Sequence, residues 1–144
     1  MAIGRWIEPD PLIEIRLSAS RKHPPKPLTC LIDTGFTGSI QLPETRVPEF
    51  DLVADEDISI PMQYGGEEAV PRPVALGIAE IDGRSEEVSV VFGEPGTFVL
   101  LGMMFLKIFE LKLVIDPLNS HVELSSSPRP RIAGAMPVPR WPKP

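Results

Sequence analysis

A chain of 144 residues with 42% apolar and 24% charged side chains has the length and composition of about one globular domain. Its net charge of −6 argues against a general nucleic-acid binder, which needs Lys and Arg to displace counterions. The single cysteine, Cys30, excludes an intramolecular disulfide framework and fits a reducing compartment, so a cytoplasmic location is expected.

The N-terminus lacks a basic start followed by an apolar stretch, so no signal peptide is expected. No apolar run approaches the roughly 18 residues that span a bilayer, and no membrane partner is expected. Ile13, Ile15 and Leu17 alternate with Glu14, Arg16 and Ser18, which predicts a half-buried strand. Arg21 to Pro27, rich in proline and basic side chains, reads as a surface loop. Leu28 to Ile32 is a short apolar run that predicts a buried strand, ending at the turn-rich Asp33-Thr34-Gly35-Phe36-Thr37-Gly38.

Ile40 and Leu42 resume a strand that Pro43 stops. Glu44 to Asp57 reads as irregular and acidic, with room for a short helix. Ile58, Ile60 and Met62 alternate, Gly65-Gly66 follows, and 70–79 is again extended, which predicts a glycine-tipped hairpin. A second hairpin is expected from 78–81, Asp82-Gly83 and 88–92. Val99-Leu100-Leu101-Gly102 predicts a buried strand ending in glycine. Phe105, Ile108 and Phe109 then sit at helical spacing, giving one short helix from about Met103. Leu111, Leu113 and Ile115 form a further strand, Asp116-Pro117-Leu118-Asn119 a turn, and Val122 and Leu124 a last strand.

Short strands, tight turns and one helix predict a small all-β, barrel-like domain over 1–124. Residues 125–144 hold six prolines and Arg129, Arg131, Arg140 and Lys143 without an acid, which leaves 10 basic against 20 acidic side chains in the body. This tail is expected to be disordered or extended.

The chemistry points to Leu31-Ile32-Asp33-Thr34-Gly35. A carboxylate placed just after a buried strand sits at the boundary of the core. Gly35 allows a sharp turn that brings backbone N–H groups to it, and Thr34 offers a hydroxyl. Asp-Thr-Gly alone is weak evidence, since about one chain of this length in thirty has it by chance. Its context is more specific: an apolar strand before it, a glycine-tipped hairpin after it, and Leu100-Leu101-Gly102 entering a helix.

With those elements in that order, the sequence resembles the retropepsin-like aspartic proteases, particularly the small stand-alone bacterial and archaeal ones, over about residues 12–124. The resemblance implies a retropepsin-like barrel with a flap hairpin. It also implies an aspartic endopeptidase that acts on polypeptides as a homodimer and carries no cofactor. Asp33 matches the catalytic aspartate, Thr34 the residue whose hydroxyl bonds across the dimer interface, and Gly35 the glycine beside the substrate path. Phe36, Tyr64, Gly65, Gly66 and Gly102 are the expected substrate-side residues, with Tyr64 to Glu67 at the flap tip and Gly102 packed near the catalytic loop. Phe36 stands where retroviral enzymes have a small residue, and Met103 where they usually carry arginine.

Peptide hydrolysis needs an activated water and a proton donor for the leaving amine, and two carboxylates in contact supply both by sharing a proton. The chain has one Asp-Thr-Gly, so the second carboxylate is expected from an identical neighbour across a twofold axis. Blander readings stand beside these. Asp33 can serve simply as a turn cap, Glu67 and Glu68 as solvated acids, and Cys30 as inert core. His23 and His121 lie far apart in sequence and no metal site is expected. Two other functions compete: a non-catalytic dimerisation or peptide-binding module on the same barrel, and an interaction protein that docks through its proline-rich tail.

Overall fold

The computed structural model describes residues 1–7, 10–63 and 66–127. Its strands follow the alternation of apolar and polar side chains. In β3 (Asp10–Ser18), Ile13, Ile15 and Leu17 are buried while Glu14 and Arg16 face solvent. β3 pairs antiparallel with β4 (Lys26–Ile32), which buries Leu28, Cys30 and Ile32.

Before them come two short strands, β1 (Ala2–Ile3) and β2 (Arg5–Ile7). After β4 come β5 (Ile40–Pro43), a 3₁₀ helix over Glu44–Phe50, β6 (Asp55–Met62), β7 (Val70–Ile81) and β8 (Arg84–Gly93). The chain closes with β9 (Leu100–Leu101), the helix α1 (Met103–Ile108), β10 (Leu111–Asp116) and β11 (His121–Ser126).

Eight of the described strands form one sheet in the order β2-β3-β4-β9-β5-β8-β7-β6. β3 also pairs with β7, Leu17 opposite Ala79, which curls the sheet into a barrel and covers an edge. β1, β11 and β10 make a second, three-stranded sheet. One core fills the space between, with Leu17, Cys30, Ile40, Leu42, Leu101, Phe105, Phe109 and Leu124 fully buried. The rings of Phe105 and Phe109 stack at 4.5 Å and pin α1 against the barrel. The fold is thus a small all-β barrel with one short α-helix, as the sequence predicts.

The turns obey local chemistry. Asp82 and Gly83 take φ of 52° and 77°, the left-handed pair that a two-residue hairpin loop between β7 and β8 requires. Asp116 accepts hydrogen bonds from the backbone of Leu118 and Asn119 and from the Asn119 amide, capping the turn between β10 and β11. The Asn119 amide, foremost, holds the Asp116 carboxyl below its ordinary range.

Four details differ from the sequence reading. The strands β1 and β2 were not expected; each is too short to show a period. Lys26 and Pro27 belong to β4, not to a loop. There β4 is paired on its β3 side, and β9 reaches only Leu31 and Ile32, so Pro27 interrupts no central ladder. The acidic stretch 44–57 holds the 3₁₀ helix in the room left for one, but its end from Asp55 already belongs to β6. The last strand passes the expected boundary at 124, because Ser125 and Ser126 pair with Lys112 and Leu111. The tail from 128 onward lies outside the described residues. Among the described residues no helix is long and apolar enough to cross a membrane.

Candidate active site

Asp33 stands where β4 ends. The next strand in sequence, β5, does not pair with β4. The late strand β9 is threaded between them, parallel to β4 and antiparallel to β5, with Leu101 opposite both Ile32 and Ile40. The backbone N–H of Asp33 donates to the Leu101 carbonyl at 3.0 Å, so the carboxylate is fixed to the barrel floor by a strand far away in sequence.

The loop after Asp33 folds back on itself and on the start of α1. The Phe36 N–H donates to the Asp33 carbonyl at 3.1 Å. In return Met103 N donates to the Phe36 carbonyl at 2.9 Å, Met104 N to Gly38 at 3.2 Å, and Gly102 N to Ser39 at 2.9 Å. The carboxylate itself accepts the Gly35 N–H on Oδ1 at 2.9 Å. Gly35 is not in the left-handed region. Its lack of a side chain is explained by proximity instead, since a Cβ there would stand 3.2 Å from Asp33 Oδ1. Gly102 is tighter still: a Cβ would meet the carbonyl oxygens of Gly38 and Phe36 and the Phe36 ring.

Asp33 opens into a cleft of about 810 Å³. The loop from Gly35 to Ser39 forms one wall, residues 60–63 of β6 and its exit form the other, and Phe98, Leu100 and Met104 close one end. Among the described lining residues Asp33 is the one ionisable group. Gln41, buried beneath, donates from Nε2 to the Phe98 carbonyl at 3.0 Å and ties that end to β5.

The expected site residues divide by position. Asp33, Gly35 and Phe36 line the cleft together. Thr34 faces the other way, into a smaller recess of about 350 Å³ shared with Met103, Leu106, Lys107, Leu111 and Leu113. Gly102 stands behind the loop, against Phe36, and not along the cleft. Gly66 is exposed in the hairpin connection. Tyr64 and Gly65 lie outside the described residues. Cys30 is buried, and burial pushes its thiol far up despite the opposing charge of Arg46, which keeps it protonated and unreactive. No group of three His, Cys, Asp or Glu among the described residues is placed to hold a metal ion.

Sequence reasoning does not pick out Gly38, Ser39, Gln41 or Phe98 as site residues, whereas β6 belongs to the hairpin it expects. Gly38 and Ser39 stand within six residues of Asp33 and continue its motif. Phe98 carries no local signal, because only the threading of β9 brings it to the site.

A strand delivering Asp-Thr-Gly to a cleft floor, backed by an apolar-apolar-Gly strand, belongs here to a retropepsin-like fold. The comparison with solved structures agrees. The chain superposes on the crystal structure of a retropepsin-like aspartic protease from Rickettsia conorii with a TM-score of 0.60, covering 88% of this chain and 89% of that chain at 17% identity. At that identity the likeness establishes the fold. No family model and no curated protein matches the sequence.

Proposed function

We propose that this chain is one protomer of an aspartic endopeptidase. The observation that carries the reading is Asp33 itself, held by the Gly35 N–H on the floor of a cleft with no other charged group among its described lining residues. One carboxylate per chain is half of the required pair. A second copy, related by a twofold axis, supplies the other. The largely apolar recess beside Asp33, formed by Thr34, Met103, Leu106, Lys107, Leu111 and Leu113, supports this reading as a face for that copy to cover.

In the paired site the ionised carboxylate takes a proton from water, whose oxygen attacks the scissile carbonyl carbon. The protonated partner gives its proton to the leaving amine nitrogen as the C–N bond breaks. The β6–β7 hairpin, which lends residues 60–63 to the cleft, serves as the flap.

Asp33→Asn keeps the side-chain shape and removes the base. It is expected to lower peptide turnover by roughly 10²–10⁴-fold while the protein stays folded. A variant that cleaves casein as fast as the unmodified protein sinks the proposal, as does a strictly monomeric species that retains activity. The half-buried Phe36 ring in the cleft favours a second reading, a peptide-binding module without turnover. That reading predicts peptide capture by a dimer that hydrolyses nothing between about pH 3 and 7, the range over which carboxylates titrate.

A further inference from the structure

The ring of Phe36 sits in space left by two missing side chains. A Cβ on Gly38 would stand 2.6 Å from Cζ and 2.8 Å from Cε1 of this ring, and the three atoms nearest to it all belong to the ring. A Cβ on Gly102 would stand 2.6 Å from Cδ2, on the ring's inner edge. Gly38 is not among the glycines at positive φ. Its backbone therefore does not demand glycine, and the ring of Phe36 does.

The same ring lines the cleft beside Asp33. It has little freedom to leave. Its own N–H is bonded to the Asp33 carbonyl and its carbonyl to Met103 N, so the Cα is fixed from both sides. The glycines then hold the ring tip and inner edge. Across the cleft stand Ile60 and Met62, and among the described lining residues no Lys, Arg or Glu offers a partner for a charged group. An acidic side chain placed there would lose its hydration beside the Asp33 carboxylate with no cation to compensate.

We infer that Phe36 is the specificity-determining residue of this cleft. Clamped between Gly38 and Gly102, its ring makes the subsite beside Asp33 shallow, so the substrate side chain seated there is small and not acidic. This deepens the endopeptidase reading and rests on it for the word substrate.

The test compares the unmodified protein with Phe36→Ala on peptides that differ only by Ala, Leu or Phe next to the scissile bond. Removing the ring is expected to raise kcat/KM for the Phe peptide relative to the Ala peptide by roughly tenfold or more, the scale of discrimination an apolar pocket achieves. A ratio between substrates is read, so a general loss of rate from a loosened loop does not imitate it. An unchanged ratio overturns the inference. So does the reverse shift, which would make the ring a stacking platform.

The clamp has its own test. Gly38→Ala is expected to lower the melting temperature, and to lower it far less in the Phe36→Ala background, where its clashing partner is gone. Equal losses in both backgrounds overturn the clamp. If the unmodified protein cleaves none of the peptides, the endopeptidase reading fails. The inference is then read from the affinities of the same peptides with a reduced, uncleavable amide. The same inversion between Ala and Phe supports it, and an unchanged ratio or no binding by either protein overturns it.

Discussion

The two walls of the cleft are built on opposite principles. The wall that carries Asp33 is a loop of irregular backbone, yet four of its residues exchange hydrogen bonds with β9 or the start of α1, and its glycines admit neighbours to contact distance. The facing wall is regular strand, yet it is weakly held. β8 pairs with β7 only from Val74 onward, so Ser59–Met62 and Val70–Pro73 form a two-stranded ribbon beyond the barrel. Pro61 stands opposite Pro71 there, and neither has an N–H to give the ladder. Regular secondary structure and rigidity are therefore separate properties. Non-local backbone bonds and close packing fix the acid, while the opposite wall has few bonds to lose when something enters.

This contrast can be broken most sharply at Gly102. Gly102→Ala drives a methyl into two carbonyl oxygens that are themselves bonded, which is expected to cost about 1–3 kcal/mol or more, toward the upper end because backbone cannot step aside. Urea unfolding measures it, and a neutral result would mean the Asp33 wall is more pliant than its contacts imply.

Arg72 tests the root of the opposite wall. Its Nε donates to the Phe92 carbonyl at 2.8 Å and its guanidinium pairs with Glu44 at 2.7 Å, with only 14% of the side chain exposed. Arg72→Ala leaves that carbonyl without its donor, an expected cost of about 1–2 kcal/mol. Kinetically it should raise KM more than it lowers kcat, because the hairpin loses its anchor while Asp33 keeps its own. Glu44→Gln retains the Phe92 bond, so its effect should stay within about 1 kcal/mol and shrink further in salt.

The smallest effect is expected at Gly66→Ala on the hairpin side. A Cβ there meets nothing within 4 Å and φ is not positive, so stability should change by no more than about 0.5 kcal/mol. A shift comparable to that of Gly102→Ala would erase the distinction between the walls.

The sequence made the Asp33 wall legible because its chemistry is local. An apolar strand, an acid and closely spaced glycines within Leu28 to Gly38 announce a strand, a turn and a carboxylate. The helix from Met103 and the Asp82-Gly83 hairpin were legible for the same reason. Pro27 was harder, because proline reads as a breaker unless the unpaired side of its strand is known. The reason for Gly38 was hidden as well. A glycine usually signals a backbone demand, whereas here it answers to a ring two residues away. Phe98 was illegible in principle, since its position depends on which strands become neighbours.

The threading of β9 between β4 and β5 has a consequence for biosynthesis. On the ribosome, β4, Asp33 and β5 emerge long before Leu100 and Leu101 do, and until then the slot between the two strands stays vacant. The acid accordingly lacks the carbonyl that receives its N–H, and its loop lacks the helix start that fastens it. A nascent chain thus carries an unassembled centre until Met104 has emerged, and pairing between such distant segments is intrinsically slow. Whatever Asp33 does, the order of the strands withholds it until most of the barrel has been made.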